Sequence, residues 1–81
     1  MTTATTTTVE QKIIETIVSF GAPAEKVTRE ATWEELDIDS LDLVELAEVA
    51  EEEFGAVLKP DDLKAIETVG QAIDAVAAKA T

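Results

Sequence analysis

The sequence predicts an all-α domain, a small four-helix bundle with three main helices, one short helix and a long first loop. Three observations support this prediction. Apolar residues recur at helical spacing in three segments, each segment begins with a side chain that can cap a helix, and no segment shows the alternation of a β-strand. With 81 residues, the chain can form one small hydrophobic core.

The first helix is predicted from Thr8 to Phe20. Thr8 and Gln11 fit a capping box at its start, and Gly21 followed by Pro23 ends it. Its apolar stripe consists of Val9, Ile13, Ile14, Ile17, Val18 and Phe20.

The connection over residues 21–39 is longer than the roughly 12 to 15 residues usual for an unstructured loop. We therefore expect apolar side chains to anchor it to the core. A ligand-stacking role for the single tryptophan is the alternative to anchoring. The four predicted anchors are Val27, Trp33, Leu36 and Ile38.

The second helix is predicted from Ser40 to Phe54, with Gly55 as its stop signal. A helical wheel at about 100° per residue separates two faces. The predicted core face contains Leu43, Leu46, Ala47, Ala50 and Phe54.

The opposite face of the second helix is acidic, with two apolar residues, Leu41 and Val44, inside it. Isolated exposed apolar residues are common and need no functional reason. Apolar points surrounded by like charge also suit a transient interface with a basic partner, because charge steers the encounter and apolar contact holds the complex. The carboxylates of this face are Glu45, Glu48, Glu51 and Glu52.

Two further helices follow. A short helix is predicted after Pro60, from Asp61 to about Ile66, and the last helix begins at Thr68, where Gln71 completes a second capping box. The apolar stripe of the last helix consists of Val69, Ala72, Ile73, Val76 and Ala80.

Eighteen acidic and six basic residues give a formal net charge of −12. This charge repels phosphate backbones and anionic lipids, so we expect neither nucleic-acid binding nor membrane insertion. There is no cysteine, and "MTTATTTT" lacks the basic and apolar parts of a secretory signal. We therefore expect a cytoplasmic protein, with residues 1–7 as a disordered threonine-rich tail and residues 8–81 as one domain.

Ser40 lies where the second helix begins. A serine there is commonly an N-cap, but Asp39 can cap instead, with Asp42 three residues later, which makes Ser40 the first helical residue. Without histidine, cysteine or a nearby lysine, nothing activates its hydroxyl as a nucleophile. Any chemistry at Ser40 must therefore be done by another protein, and we predict that the chain is not an enzyme.

A calcium loop is the other motif to consider. Asp37, Asp39 and Glu48 occupy its first, third and twelfth positions, but Leu41 and Asp42 stand where a ligand and a glycine are required. We reject an EF-hand and expect no metal site.

The segment "LDIDSLDLVEL", residues 36–46, resembles the prosthetic-group attachment region of acyl carrier proteins, whose core is Asp-Ser-Leu. "AEEEFG" at the end of the second helix and "ETVGQAIDAV" at the start of the last one are also similar to that family. The resemblance extends from residue 9 to about residue 78.

The resemblance implies a freestanding, monomeric type II acyl carrier protein of fatty-acid or polyketide synthesis. It implies that a phosphopantetheinyl transferase attaches 4′-phosphopantetheine from coenzyme A to Ser40, so that acyl groups are held as thioesters. Ketosynthases, acyltransferases and other synthase enzymes with basic docking patches are the further implied partners. The residues that match the family's partner-facing surface are Asp39, Leu41, Asp42, Val44, Glu45, Glu48, Glu51 and Glu52.

Three positions depart from the usual family pattern. Asp37 replaces a frequent glycine, Glu48 replaces an apolar residue of many fatty-acid carriers, and Trp33 has a spacing more similar to polyketide carriers. Two alternatives remain open: a discrete peptidyl or aminoacyl carrier, and an acidic interaction module without a cofactor, in which Ser40 is only a cap.

Overall fold

The computed structural model describes residues 6–80, and this part of the chain contains four α-helices and no β-strand. An isolated antiparallel bridge pairs Thr32 with Thr68. The predicted all-α bundle is confirmed. The helices are α1 (Thr6–Ser19), α2 (Ser40–Phe54), α3 (Pro60–Ala65) and α4 (Val69–Lys79), and a 3₁₀ turn covers Ala24–Lys26 in the long first loop.

The centre of the core lies where α1 packs against α4, and α1 also packs against α2. The largest fully buried side chains come from the predicted stripes of α1 and α4, which confirms both stripes as core faces. These side chains are Val9, Ile13, Ile17, Val69, Ile73 and Val76.

Two helix starts differ from prediction. Helix α1 begins at Thr6, so Thr8 lies within the helix and is not its N-cap, and residues 1–5 of the predicted tail lie outside the described residues. Helix α3 includes Pro60, because a proline at the first helical position lacks only an N–H that would be unpaired there anyway.

The start of α3 has a cap that the sequence pattern missed. The Asp62 carboxylate accepts a hydrogen bond of 3.0 Å from the backbone N–H of Lys59 and lies 3.2 Å from the Lys79 ammonium. These contacts, the first more than the second, hold the pKa of Asp62 below its usual value. Asp62 thereby ties α3 to the end of α4.

The long first loop is attached to the start of α4 through the backbone. The N–H groups in the first turn of a helix have no intrahelical acceptor. The Val69 N–H donates to the Ala31 carbonyl at 3.0 Å, and the Gly70 N–H donates to the Arg29 carbonyl at 2.8 Å. The loop thus satisfies two donors that would otherwise need water.

Side chains reinforce this attachment. The Arg29 guanidinium lies 2.8 Å from Asp74 on α4 and 3.5 Å from Glu10 on α1. The hydrogen bond and charge of Asp74, followed by the weaker effect of Glu10, raise the pKa of Arg29. The pair is partly exposed to solvent, so its main effect is to orient the loop.

No helix within residues 6–80 combines the length and the apolar character that crossing a bilayer requires.

We predict that Gly70→Ala destabilises the fold, although glycine to alanine inside a helix ordinarily stabilises by about 1 kcal/mol. A Cβ at this position would lie 2.9 Å from the Arg29 carbonyl oxygen, so the loop and α4 would have to separate. We expect the free energy of unfolding in urea to fall by about 1–3 kcal/mol, the usual cost of overpacking.

The emission of Trp33, the single tryptophan, reports on the same loop. It should shift to longer wavelength in Gly70→Ala as the loop moves away from the core. If the variant were as stable as the original protein and its emission were unchanged, the close packing of Gly70 against the Arg29 carbonyl would be contradicted.

Candidate functional site

The start of α2 is closed by a reciprocal pair of aspartates. The Asp42 N–H donates to the Asp39 carboxylate at 3.0 Å, and the Asp39 N–H donates to the Asp42 carboxylate at 3.4 Å. Asp39 is the N-cap, in an extended backbone conformation. The predicted capping box is confirmed, and its two side chains satisfy N–H groups that the helix itself cannot.

Ser40 is the first residue of α2 and is exposed. Its hydroxyl has no hydrogen-bond partner within residues 6–80, because Asp39 already provides the cap. Ser19, the other serine, instead donates its hydroxyl to the Thr16 carbonyl on its own helix. The Ser40 oxygen is therefore available to an external reagent, beside a helix N-terminus that favours an anion.

A single tight turn leads the chain into this site. The Ile38 N–H donates to the Trp33 carbonyl at 2.9 Å, and the Asp37 N–H donates to the Glu34 carbonyl at 3.2 Å. The backbone of Asp37 itself lies in the left-handed region, with φ of 56°. This is the bond pattern of a Schellman motif, in which glycine usually occupies the left-handed position. Aspartate adopts this left-handed conformation more readily than most other non-glycine residues.

The first part of that turn is held by Glu35. Its carboxylate accepts from both the N–H and the hydroxyl of Thr32, at 3.0 Å each. These two bonds, the backbone one first, keep the pKa of Glu35 below its usual value. The turn is therefore held from both ends before it reaches Asp39.

Trp33 is an anchor of this turn. Its side chain is only 8% exposed, and its indole N–H donates to the Ile66 carbonyl at 3.0 Å. The anchoring interpretation is confirmed over the ligand-stacking one. The other three predicted anchors, Val27, Leu36 and Ile38, are also buried.

The two faces of α2 lie as the wheel predicts. Leu46, Ala50 and Phe54 are buried, while Leu43 and Ala47 are half-buried beside them. On the other side, Leu41 is 74% exposed and Val44 is 46% exposed. The carboxylates exposed around them are those of Glu45, Glu48, Glu51 and Glu52.

Glu48 lies between two shallow grooves on this face. One groove, toward α1, is bordered by Glu45, Glu48 and Glu52. The other, toward α3, has a volume of about 210 Å³ and is bordered by Glu48 and Glu51. Its apolar lining includes Val44 and Val57, so we call it the Val57 groove.

Val57 is the part of this surface that sequence reasoning missed. It is 53% exposed, although it lies in the connection from α2 to α3 and not on a helix. Ala56 before it is fully buried, so these two neighbouring residues lie in opposite environments. The alternation of buried and exposed residues after Gly55 was the feature that could have predicted the exposure of Val57.

Glu53 differs from its acidic neighbours on α2. Its carboxylate lies 3.6 Å from the Lys12 ammonium on α1. Glu53 therefore has a partner within the fold, whereas no cation within the described residues pairs with Glu45, Glu48, Glu51 or Glu52. Residues 6–80 contain no group of acidic, histidine or cysteine side chains that could hold a metal ion.

Residues 11–76 match the profile of the family described as "Phosphopantetheine attachment site". A curated relative named acyl carrier protein, from Nitratidesulfovibrio vulgaris, is 45% identical over 73 residues, which span 88% of this chain and 96% of that protein. The acyl carrier protein of Saccharopolyspora erythraea is 44% identical over 67 residues, spanning 82% of this chain and 67% of that protein.

The fold has a close match among solved structures. The acyl carrier protein of Enterococcus faecalis, whose structure was described in connection with its high thermal stability, superposes with a TM-score of 0.80. It is 30% identical in sequence, and the match covers 95% of this chain and 100% of that one.

We predict that Asp39→Ala lowers the free energy of unfolding by about 1 kcal/mol, since it removes the acceptor of the Asp42 N–H. Asp39→Asn is the matched control: it keeps an oxygen acceptor and removes only the charge, and should cost a few tenths of a kcal/mol. Urea denaturation followed by circular dichroism measures both. If the alanine variant were as stable as the asparagine variant, Ser40 could cap α2 in place of Asp39, and its hydroxyl would not be spare.

Proposed function

Because this chain belongs to the acyl carrier protein family, we propose that its Ser40 oxygen is the atom to which 4′-phosphopantetheine is attached. Members of this family carry that group, are substrates of phosphopantetheinyl transferases and are not enzymes. The observation that carries the proposal is the exposed Ser40 hydroxyl, which is left without a partner by the Asp39 cap.

The start of α2 is chemically suited to this group. The attached phosphodiester would be an anion at the N-terminus of a helix that runs from Ser40 to Phe54, where the helix dipole favours negative charge. The bonds of Trp33 and Glu35 hold the turn that precedes α2, and Ser40 remains exposed. These features support attachment at Ser40 over any other hydroxyl of the described residues.

Attachment forms one bond and breaks one. The Ser40 oxygen joins the phosphorus that bears pantetheine in coenzyme A, the adenosine bisphosphate half leaves from that phosphorus, and the hydroxyl proton passes to a base of the transferase. In this proposal the base belongs to the transferase, since the carboxylates that flank Ser40, those of Asp39 and Asp42, are engaged in the helix cap. Once attached, the arm supplies the thiol that holds acyl groups as thioesters.

We propose that partner enzymes dock on the exposed side of α2 through their basic patches. The exposed apolar contacts are Leu41, Val44 and Val57. Charge is provided by Glu45, Glu48, Glu51 and Glu52, and to a lesser extent by Asp39 and Asp42, whose carboxylates also serve the cap. Charges at the rim steer association, while apolar contacts slow dissociation.

The partners that fit this proposal are a phosphopantetheinyl transferase, ketosynthases, acyltransferases and other enzymes of fatty-acid or polyketide synthesis. The relatives named above are acyl carrier proteins, which favours acyl over peptidyl cargo. The family match over residues 11–76 likewise favours a carrier over an interaction module without a cofactor. We propose that the carrier is one domain that acts as a monomer in the cytoplasm, consistent with its lack of cysteine.

Loading at Ser40 is tested by intact mass. After incubation with coenzyme A and a phosphopantetheinyl transferase, the protein should gain one phosphopantetheinyl group, and Ser40→Ala should gain none while keeping its helical circular dichroism. Ser19→Ala, which removes the only other serine, is the control and should be loaded normally. Mass gained by Ser40→Ala would refute the assignment.

The docking surface is tested by transfer kinetics across a salt series. We expect Glu45→Lys to associate with a transferase severalfold more slowly at low salt, with the difference shrinking as salt screens the charge. We expect Val44→Ala to dissociate about fivefold faster, the equivalent of about 1 kcal/mol of lost apolar contact.

Glu15→Lys on α1 is the control for the docking test, since it makes the same charge change on an exposed helical glutamate outside α2. If this control slowed association as much as Glu45→Lys, net charge and not the α2 surface would govern the encounter. Unfolding of Val44→Ala would show that Val44 belongs to the core.

A further inference from the structure

A groove runs between α1 and α2, and we call it the α1 groove. Its volume is about 410 Å³. Lys12 is its first lining residue along α1 and Glu53 is its last along α2, so their ion pair of 3.6 Å joins the two helices at one end of the groove. The other end is formed by Phe20, which directly follows α1, and by Glu45, the first lining residue of α2. One end is therefore closed by an ion pair, and the other presents an aromatic ring and a carboxylate.

Three carboxylates on the α2 side of this groove form no hydrogen bond or ion pair with residues 6–80. They belong to Glu45, Glu48 and Glu52. The two hydroxyl groups of the groove do not serve them, because the Thr16 hydroxyl donates to the Lys12 carbonyl at 2.8 Å and the Ser19 hydroxyl donates to the Thr16 carbonyl. Any donor to these carboxylates therefore lies outside the described residues, in water or in another protein.

The spacing of these carboxylates places them on one side of α2. Glu45 and Glu48 are three residues apart, and Glu48 and Glu52 are four apart, which puts neighbouring Cβ atoms about 5–6 Å from each other. Like charges at this spacing repel and destabilise a helix. A cation bound between two of them relieves that repulsion, and a guanidinium suits the position because it can donate to two carboxylates at once.

Phe20 gives the groove a preference among cations. Its side chain is half-buried, so part of it is exposed where it lines the groove. The planar, weakly hydrated guanidinium of arginine stacks on an aromatic face, whereas the compact ammonium of lysine retains its hydration more strongly. An arginine beside Glu45 can therefore gain an aromatic contact that a lysine gains less readily.

We propose that the α1 groove receives an arginine side chain of a partner enzyme, which stacks on Phe20 and pairs with Glu45 and Glu48. This inference rests on the proposed docking of partners on α2 and extends that surface to α1. Charge complementarity identifies the occupant, because four carboxylates and one ammonium line the groove. The contact orients the partner on α2, and it favours partners with arginine over partners with lysine at this position.

The test uses the full-length protein, labelled with ¹³C and ¹⁵N, and two peptide probes, hexa-arginine and hexa-lysine. NMR titrations at low salt give the dissociation constant of each peptide. We expect hexa-arginine to bind about two- to fivefold more tightly, which corresponds to the strength of an exposed cation–π contact. We also expect nuclear Overhauser effects between the δ-methylene protons of the arginines and the ring protons of Phe20.

Phe20→Leu keeps an apolar side chain and removes the aromatic ring. It should abolish the preference for hexa-arginine and change the affinity for hexa-lysine little, with circular dichroism as the check that the variant is folded. The Overhauser effects are measured on the original protein, so they test the contact even if the variant does not fold.

Glu45→Gln and Glu51→Gln form a matched pair, since each removes one exposed carboxylate of α2 that has no ion pair among the described residues. Glu45 lines the α1 groove, whereas Glu51 lines the Val57 groove. We expect Glu45→Gln to reduce the preference for hexa-arginine. Glu51→Gln should weaken the binding of both peptides alike and leave the preference in place. An equal loss of preference in both variants would mean that overall charge, and not the α1 groove, selects the peptide.

The remaining outcomes separate this inference from the function beneath it. If Glu45→Lys does not slow association with a transferase, docking on α2 is wrong and the arginine inference is wrong with it. If that docking test succeeds but the two peptides bind equally and no Overhauser effect reaches Phe20, the docking surface stands and the arginine inference is refuted. A preference that persists unchanged in Phe20→Leu would refute the role of Phe20.

Discussion

The backbone attachment of the long first loop to the start of α4 is the constraint on which the functional end of this molecule depends. Residues 20–39 contain only a 3₁₀ turn of regular structure, and their local bonds fix individual turns but not where the loop lies on the core. The bonds from Val69 and Gly70 to loop carbonyls, and from the Trp33 indole to Ile66, supply that information from a distant part of the chain. They satisfy helix donors and loop acceptors together, which neither segment could do alone. The chain then enters α2 with its direction already determined.

At the start of α2, different residues cap the helix and present the exposed hydroxyl. Asp39 and Asp42 close the helix, and Ser40, placed between them, is left with an exposed hydroxyl. This division suits a protein whose reactive group is supplied after folding. A carrier needs an accessible attachment atom on a stable element, and it has no use for a base of its own beside that atom. The absence of histidine and cysteine from the chain is consistent with such a role.

Some acidic residues of the chain pair with basic side chains of the fold, whereas others are exposed without such a partner. Glu10, Glu53, Asp62 and Asp74 each lie beside a basic side chain of the fold. The carboxylates on the exposed side of α2 have no such partner, and two of them, Glu51 and Glu52, lie toward the helix end where the dipole disfavours negative charge. These carboxylates surround Leu41 and Val44 without a stabilising partner inside the fold, which is why we propose that other proteins contact them.

The sequence by itself determined the features that depend on neighbours three or four residues apart. The stripes of α1 and α4, the Asp39 cap, the Gly55 stop and the two faces of α2 all follow from helical periodicity and from capping bonds within one turn. The tertiary structure decided what depends on residues distant in the chain: the partner of the Trp33 indole, the bonds from Val69 and Gly70 to the first loop, and the pairing of Arg29 with Asp74. Local patterns cannot encode these, because each results from the packing of one segment against another, and that packing is selected by the burial and hydrogen bonding of the whole core.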